Sequence, residues 1–419
     1  MARQLGPEQR GLYGLVFMAV HLLFTFGHLG LGSAVAYFTG KKSYKKNEIL
    51  TFVIVSSFVL GIALATIFFF VYPYIKGIWT DIPRSAMLIG LVALPFLFFQ
   101  NFIFRFLLGM LRVRQSNITN LLRSAFYIVL VALLIWFYRG GLREAVLCFT
   151  LSLLLSGVLG FVLFTRDIRP LGTLNTVMLK PFFQYGIKIY CIVVINYLNY
   201  RIDILLIKYY MTASDVSYYQ IAANLAQRFW YIPDALSTLL FPTLLAMSNE
   251  NRSSRFTAKI CRNNFFLMIL LSIAVLIIAK PVIVFLYGSE YSPVSKALFS
   301  ILWGITIFPF YKFLSVDFAA KKQLGIGILA SSIGVAVNVA ANIFMIPRYG
   351  IIGAGLATSL SYSVLSIVLI VFFTRQNRIG LRELLIVNGE DFRSYGNALK
   401  KGLSYLKRLV GKRNNQPRV

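Results

Sequence analysis

Eleven apolar stretches run through this chain, each near the ~20 residues a helix needs to cross ~30 Å of hydrocarbon. They cover residues 11–38, 49–75, 85–107, 118–138, 145–165, 183–200, 218–247, 265–287, 297–318, 324–346 and 351–373. A soluble chain is about a quarter charged; here 13% of residues are charged and 58% hydrophobic. Barrel strands are excluded as the main element, because they are ~10 residues long with alternating polarity. What remains is an all-α polytopic membrane protein. Pro95, Pro233 and Pro309 fall inside spans, which membrane helices tolerate when neighbours satisfy the freed backbone groups. The abundance of Phe and Tyr, 37 and 23 residues, suits lipid-facing helices with aromatic girdles.

The formal net charge of +28 does not point to nucleic acid. The basic residues lie in short runs between apolar segments, where they orient the chain and touch anionic lipid. Lysines and arginines are denser on the side that holds Lys41, Lys42, Arg112, Arg166, Arg255 and Lys321 than on the side that holds Arg10, Arg84, Arg139 and Arg348. A basic tail reinforces the first side. The positive-inside rule therefore predicts a cytoplasmic C-terminus and, with eleven spans, an external N-terminus. The expected location is the inner, cytoplasmic membrane of the cell. Cys148, Cys191 and Cys261 form no disulfide framework or metal-type pair by count and spacing, and no cleavable leader pattern is visible.

The predicted organisation is a five-span bundle over residues 1–165, a cytoplasmic linker at 166–182, a six-span bundle over 183–374 and a basic tail at 375–419. Within the tail, Phe392, Tyr395, Leu399, Leu403, Leu406 and Val410 recur at helical spacing. An interfacial amphipathic helix and a solvated tail are both compatible with that pattern. LGPEQRGLYGL at 5–15 resembles MTASDVSYYQI at 211–221, an offset that places six spans in the second copy against five in the first. The expectation is two pseudo-symmetric bundles with one helix missing at the start, related by an axis along the membrane normal.

No enzyme signature is present: there is no GxSxG, P-loop or HExxH, and no paired acid and base can be assembled. The informative residues are charges inside spans, because a charge in hydrocarbon costs at least ~2.5–3.5 kcal/mol and normally faces an interior or aqueous cavity. They are Arg105, Arg123, Lys188, Arg228, Lys280 and Lys312, with Asp234 and Asp317; Arg201 and Asp203 lie at one end of the sixth span. Positive charge dominates, as an anionic group such as a diphosphate requires. Arg105, Arg123, Lys188, Arg201, Arg228 and Lys312 are the candidate substrate-binding residues. Asp203, Asp234 and Asp317 are candidates for cation coupling, since a carboxylate in a low-dielectric cavity can exchange a proton.

Helical spacing adds a polar lining. Asn196, Asn199 and Asp203 share one face of the sixth span; Gln220, Asn224, Gln227, Tyr231 and Asp234 step by fours and threes along the seventh. Under the repeat offset His21 matches Gln227 and His28 matches Asp234, so His21 and His28 line the equivalent face. Structural readings stand beside these. Arg228 with Asp234 would lock a bundle, Lys280 and Lys312 would snorkel to an interface, Arg105 would belong to the run with Arg112, and the histidines would be satisfied interior residues.

The chain resembles a known family on several of these segments: LGPE at 5–8, GLYG at 11–14, GHLGLGSA at 27–34, YLNYRIDILLIK at 197–208, WYIPDALSTLLFP at 230–242 and GIIGAGLATSLSY at 350–362. They resemble the O-antigen and capsule flippases of the multidrug/oligosaccharidyl-lipid/polysaccharide exporter superfamily. The resemblance implies twelve to fourteen helices around a central cationic cavity, and alternating access that moves undecaprenyl-diphosphate-linked sugars between leaflets. It implies no cofactor beyond a proton or sodium gradient. The partners implied are the lipid-linked oligosaccharide, the bilayer and a polysaccharide polymerase or assembly proteins, with no nucleic acid. The family's first helix precedes the LGPE turn and is missing here. The alternatives are a multidrug exporter of the same fold, which predicts an acidic cavity, and a membrane-embedded glycosyltransferase or polymerase, which predicts a large external loop.

Overall fold

A computed structural model describes residues 1–75, 79, 81–168, 174–247, 249–389 and 391, without the side chains of Lys188, Ile189, Cys191, Ile192, Asn196 and Glu250. The tail residues from Phe392 to Val410 lie outside this description. The described residues are almost wholly helical. The helices are α1 (Ala2–Gly27), α2 (Leu31–Lys41), α3 (Lys46–Val71), α4 (Arg84–Gly109), α5 (Val113–Val131), α6 (Leu142–Phe164) and α7 (Leu179–Tyr210). Then follow α8 (Ala213–Gln227), α9 (Tyr231–Ala246), α10 (Glu250–Tyr287), α11 (Pro293–Ala320), α12 (Leu324–Asn377) and α13 (Leu381–Leu385).

Among the described residues, nine helical stretches are long and apolar enough to cross a membrane. The last of these, α12, spans 54 residues and is long enough for two crossings. Its two halves meet at Gly350, whose φ of 58° is left-handed, and a Cβ on Gly353 would sit 2.1 Å from the Met345 carbonyl oxygen. The chain therefore turns back sharply after Pro347, as separate spans at 324–346 and 351–373 require. The sixth span falls on α7, 32 residues long. The all-α polytopic architecture stands among the described residues.

Three boundaries differ from expectation. The first span is broken: α1 ends at Gly27, and α2 restarts after Leu29 and Gly30, both at positive φ. Gly30 is needed there twice over, for its φ of 71° and because a Cβ would lie 2.0 Å from the carbonyl oxygen of Gly186 on α7. The seventh span is interrupted by a 3₁₀ turn, Arg228–Trp230. Pro233 lacks the N–H that would bond the carbonyl of residue 229, so the preceding turn tightens. Residues 250–264, expected as a polar connection, form the first turns of α10, with Thr257, Cys261 and Asn264 buried on one side.

The chain forms two compact units. Unit 1 comprises Met1–Leu225, Ile278–Ile301 and Ser331–Ser361; unit 2 comprises Ala226–Ile277, Leu302–Ala330 and the chain from Tyr362 onward. In unit 1, α4 is the central helix, packed against α1, α2, α3, α5 and α6, with Phe98, Phe102 and Phe106 fully enclosed. The two copies of the internal repeat meet in this unit. A Cβ on Gly14 would lie 2.0 Å from the amide oxygen of Gln220, the residue equivalent to it under the offset. The core of unit 2 gathers Leu240, Cys261, Phe310, Phe313, Phe318 and Phe373.

Candidate functional site

In unit 1 the organising element is one face of α1. Arg10, Tyr13, Phe17, His21, Phe24 and His28 recur every three or four residues, which places them on a single stripe. The Arg10 guanidinium lies 5.4 Å from the Tyr13 ring centre and donates to the Gln220 amide oxygen at 3.3 Å. The Tyr13 and Tyr127 hydroxyls meet at 3.0 Å, which brings α5 to the stripe. Phe17 packs on His21 at 4.2 Å. His21 lies within Coulombic reach of Arg123 on α5 and Arg201 on α7; His28 lies within reach of Arg105 on α4. The His28 Nδ1 accepts from the Gly30 N–H at 3.0 Å, so the break between α1 and α2 is what fixes its ring.

Among the described residues, no carboxylate lies within ion-pair distance of Arg10, Arg105, Arg123 or Arg201. Arg105, Arg123 and Arg201 are half-buried. Cations partly withdrawn from water with no carboxylate at ion-pair distance, and with only Asp203 within Coulombic reach of Arg201, form a standing attraction for an anion. The side chains of Lys188 and Asn196 lie outside the described residues.

Asp203 is the buried acid of unit 1. Its carboxylate accepts from the Tyr219 hydroxyl on α8, from the Ile204 N–H at 2.8 Å and, more distantly, from the Thr358 hydroxyl at 3.4 Å. Tyr219 and Thr358 also meet at 2.9 Å. One turn away on the same face, Asn199 accepts from Ser361 at 3.3 Å. The face predicted for Asn199 and Asp203 thus looks onto the second half of α12. Arg201, two residues from Asp203, points elsewhere, as helical geometry requires. The hydrogen-bond donors to Asp203 are neutral groups, while the Arg201 guanidinium lies within Coulombic reach of it.

In unit 2 the expected polar line through Gln227, Tyr231 and Asp234 does not run straight. The 3₁₀ turn advances about 120° per residue instead of about 100°, so α9 starts with a shifted phase. Gln220 is buried, Asn224 and Gln227 are half-buried, and Tyr231 and Asp234 are exposed. Arg228 pairs with Tyr231, hydrogen bonding its hydroxyl and covering its ring at 5.4 Å. Asp234 takes its salt bridge from Lys312, whose ammonium sits 4.5 Å from the Trp230 ring centre and 5.5 Å from that of Phe308. Trp230 in turn donates to the Ile305 carbonyl at 3.2 Å. Asp317 is fully buried, bonded to Lys321 at 2.7 Å and to the Thr257 hydroxyl at 2.9 Å.

Sequence reasoning missed Arg10, which reads as a flanking charge, and the tyrosines Tyr13, Tyr127 and Tyr219. The heptad spacing from Arg10 to His28 was the available signal for the first. The partners of Asp203 and Asp234 lie up to 155 residues away and leave no local trace.

Comparisons with known proteins agree with this architecture. A probable low-salt glycan biosynthesis flippase, Agl15 of Haloferax volcanii, is 22% identical over 46% of this chain and 43% of its own length. The chain thus matches less than half the length of that curated relative. A solved structure of the lipid II flippase MurJ in an inward closed conformation aligns with a TM-score of 0.75 at 19% identity, covering 91% of this chain and 84% of that one. An inward-facing multidrug resistance MATE family transporter of the MOP superfamily aligns with a TM-score of 0.71 at 16% identity, covering 90% and 92%. The two structural likenesses carry the fold. The family model described as polysaccharide biosynthesis protein matches residues 1–296, and the chain belongs to that family.

Proposed function

We propose that this protein is a flippase for a lipid-linked oligosaccharide, carrying undecaprenyl-diphosphate-linked repeat units across the cytoplasmic membrane by alternating access. The observation that carries the reading is the α1 stripe, with Arg10, Arg105, Arg123 and Arg201 around it and no carboxylate paired to any of the four among the described residues. A diphosphate can cross hydrocarbon only if its charge is neutralised and its oxygens are hydrogen bonded, which is the chemistry of such a cluster. The prenyl chain can remain in lipid throughout. The flippase names of Agl15 and MurJ support the same class.

Asp203 is the residue we assign to coupling with a proton or sodium gradient. Asp234 and Asp317 already hold lysines, which removes them as acids of choice. Tyr219 and Thr358 supply neutral oxygens beside the Asp203 carboxylate, and the network joins α7, α8 and α12 within unit 1. With the basic tail on the cytoplasmic side, the charged headgroup would be loaded from that side, and a polymerase or assembly protein would receive it on the other.

The likeness to a multidrug transporter supports a second reading, export of cationic drugs. It requires an acidic cavity, and against it Asp234 and Asp317 hold lysines while Asp203 stands alone beside a stripe surrounded by four arginines. Removing this chain from its host distinguishes the two. The flippase reading expects surface polysaccharide to be lost while lipid-linked repeat units accumulate on the cytoplasmic leaflet. Unchanged surface polysaccharide, in a host with no second transporter of the class, would overturn it.

A further inference from the structure

Over the first two turns of α9, before the exposed Phe241 and Leu245, the exposed surface divides into two stripes. Ile232 and Leu239, seven residues apart, form an apolar exposed stripe suited to lipid. Arg228, in the 3₁₀ turn before α9, then Tyr231, Asp234 and Thr238 are also exposed and all polar, and a polar stripe on a membrane helix belongs to an aqueous cavity. The buried side carries Trp230, Pro233 and Leu240. The polar stripe has a definite construction. Tyr231 is 61% exposed, yet its position is fixed: Arg228 bonds its hydroxyl and covers one face of the ring, leaving the other face as a flat platform. Asp234 is bonded through one carboxylate oxygen, Oδ1, to Lys312, and Lys312 is itself held against Trp230 and Phe308.

We infer that this stripe of unit 2 is a saccharide-binding subsite, with Tyr231 as the stacking platform and Arg228 and Asp234 as hydroxyl partners; the inference rests on the flippase reading above. The argument is one of charge and shape. The Lys312–Asp234 pair is balanced, which leaves Arg228 as a single cation on the stripe with Tyr231 as its partner, against four around the α1 stripe, and one cation does not neutralise a diphosphate. Nor does it suit a cationic drug, because Asp234 already has its counter-ion. What it does offer is an apolar ring face beside a planar carboxylate and a planar guanidinium. A sugar ring presents the complement, with one face of C–H groups and equatorial hydroxyls at its edge that both donate and accept. The Lys312–Asp234 bond leaves Oδ2 to accept from a hydroxyl, and the Arg228 fork donates to one.

The test uses the purified protein in lipid nanodiscs and two probes. One is geranyl diphosphate, which has the charge and no sugar. The other is the reducing oligosaccharide released by mild acid from the host's lipid-linked pool, which has the sugar and no phosphate. The wild type is expected to bind both. Tyr231→Ala should weaken oligosaccharide binding about tenfold or more, Tyr231→Phe should keep the stacking and most of the affinity, and Asp234→Asn should weaken it several-fold. The geranyl diphosphate isotherm should stay in place in all three, which also reports that each variant is folded. Oligosaccharide binding that survives Tyr231→Ala and Asp234→Asn and is lost in Arg201→Ala would overturn the inference, as would a wild type that binds geranyl diphosphate and ignores the oligosaccharide. A wild type that binds the oligosaccharide but not geranyl diphosphate would instead overturn the diphosphate reading of unit 1 and leave this subsite standing.

Discussion

Replacing Asp203 separates what its network holds together from what it exchanges. The carboxylate receives the Tyr219 hydroxyl, the Ile204 N–H at 2.8 Å and the Thr358 hydroxyl at 3.4 Å, all of it buried. In Asp203→Ala the two hydroxyls lose their shared acceptor. They can still bond one another at 2.9 Å, so one donor rather than two is stranded. A stranded buried polar group costs about 1–3 kcal/mol, and the small void left adds about 1 kcal/mol more. The expected destabilisation is therefore about 2–4 kcal/mol. Asp203→Asn keeps an acceptor oxygen in place and should cost about 1 kcal/mol or less. The assay follows the buried thiols of Cys148 and Cys261, which become reactive to a fluorogenic maleimide as the protein unfolds in detergent. The expected order of stability is wild type, then Asp203→Asn close behind, then Asp203→Ala. Reconstituted into liposomes, both variants should lose the dependence of flipping on an imposed ion gradient, although the Asn variant is folded. An Asn variant that responds fully to the gradient would refute the coupling role. An Ala variant as stable as the wild type would refute the network.

Three further outcomes follow from the same geometry. Arg123→Ala and Arg201→Ala should each weaken geranyl diphosphate binding by about tenfold or more in calorimetry, since a hydrogen bond to a charged group is worth about 1.5–3 kcal/mol, while lysine at either position should recover part of it. Gly30→Val should lower the unfolding midpoint in the thiol assay, because the added Cβ would sit 2.0 Å from the Gly186 carbonyl oxygen at a φ of 71°. Asp167, beyond the end of α6, is held below the usual carboxylate range by the Arg112 guanidinium that bonds it. A lowered folded-state value means that the stabilisation is present above the unfolded value, near ~3.9, and is lost as pH falls through the folded one. The difference in melting temperature between wild type and Asp167→Asn should therefore be seen at pH 7 and fade as the pH falls below the ordinary carboxylate range, and it should be small because the pair is largely exposed.

The spans were legible because the demand of the bilayer is simple: ~20 apolar residues have no other stable use. Even the sharp return at Gly350 could be placed, since the polar MIPRYG segment at 345–350 divides two apolar runs. The break at His28–Gly30 was not legible. Glycines are common in membrane helices, and nothing local distinguishes one that packs from one that takes positive φ against Gly186. The shift at Arg228–Trp230 was concealed for a related reason: Pro233 signals a disturbance, but not whether the chain kinks or tightens. In the candidate site, residue types were easier to identify than pairings. Arginines in apolar segments are rare enough to be noticed. Which of them meets a carboxylate depends on contacts between distant helices: the sequence offers Asp234 as a coupling acid or as a partner of Arg228, whereas its actual partner, Lys312, lies 78 residues away.

The most direct measurement of the central claim is leaflet exchange in liposomes that contain only this protein and a fluorescent, prenyl-diphosphate-linked oligosaccharide. A membrane-impermeant quencher then reports how much of the label is reachable from outside. The account predicts that the protected pool drains faster with the wild type than in protein-free liposomes, and that Arg123→Ala with Arg201→Ala returns the rate toward the protein-free value. Wild-type liposomes that keep their protected pool as protein-free ones do, with the protein shown to be folded and an ion gradient applied, would contradict it.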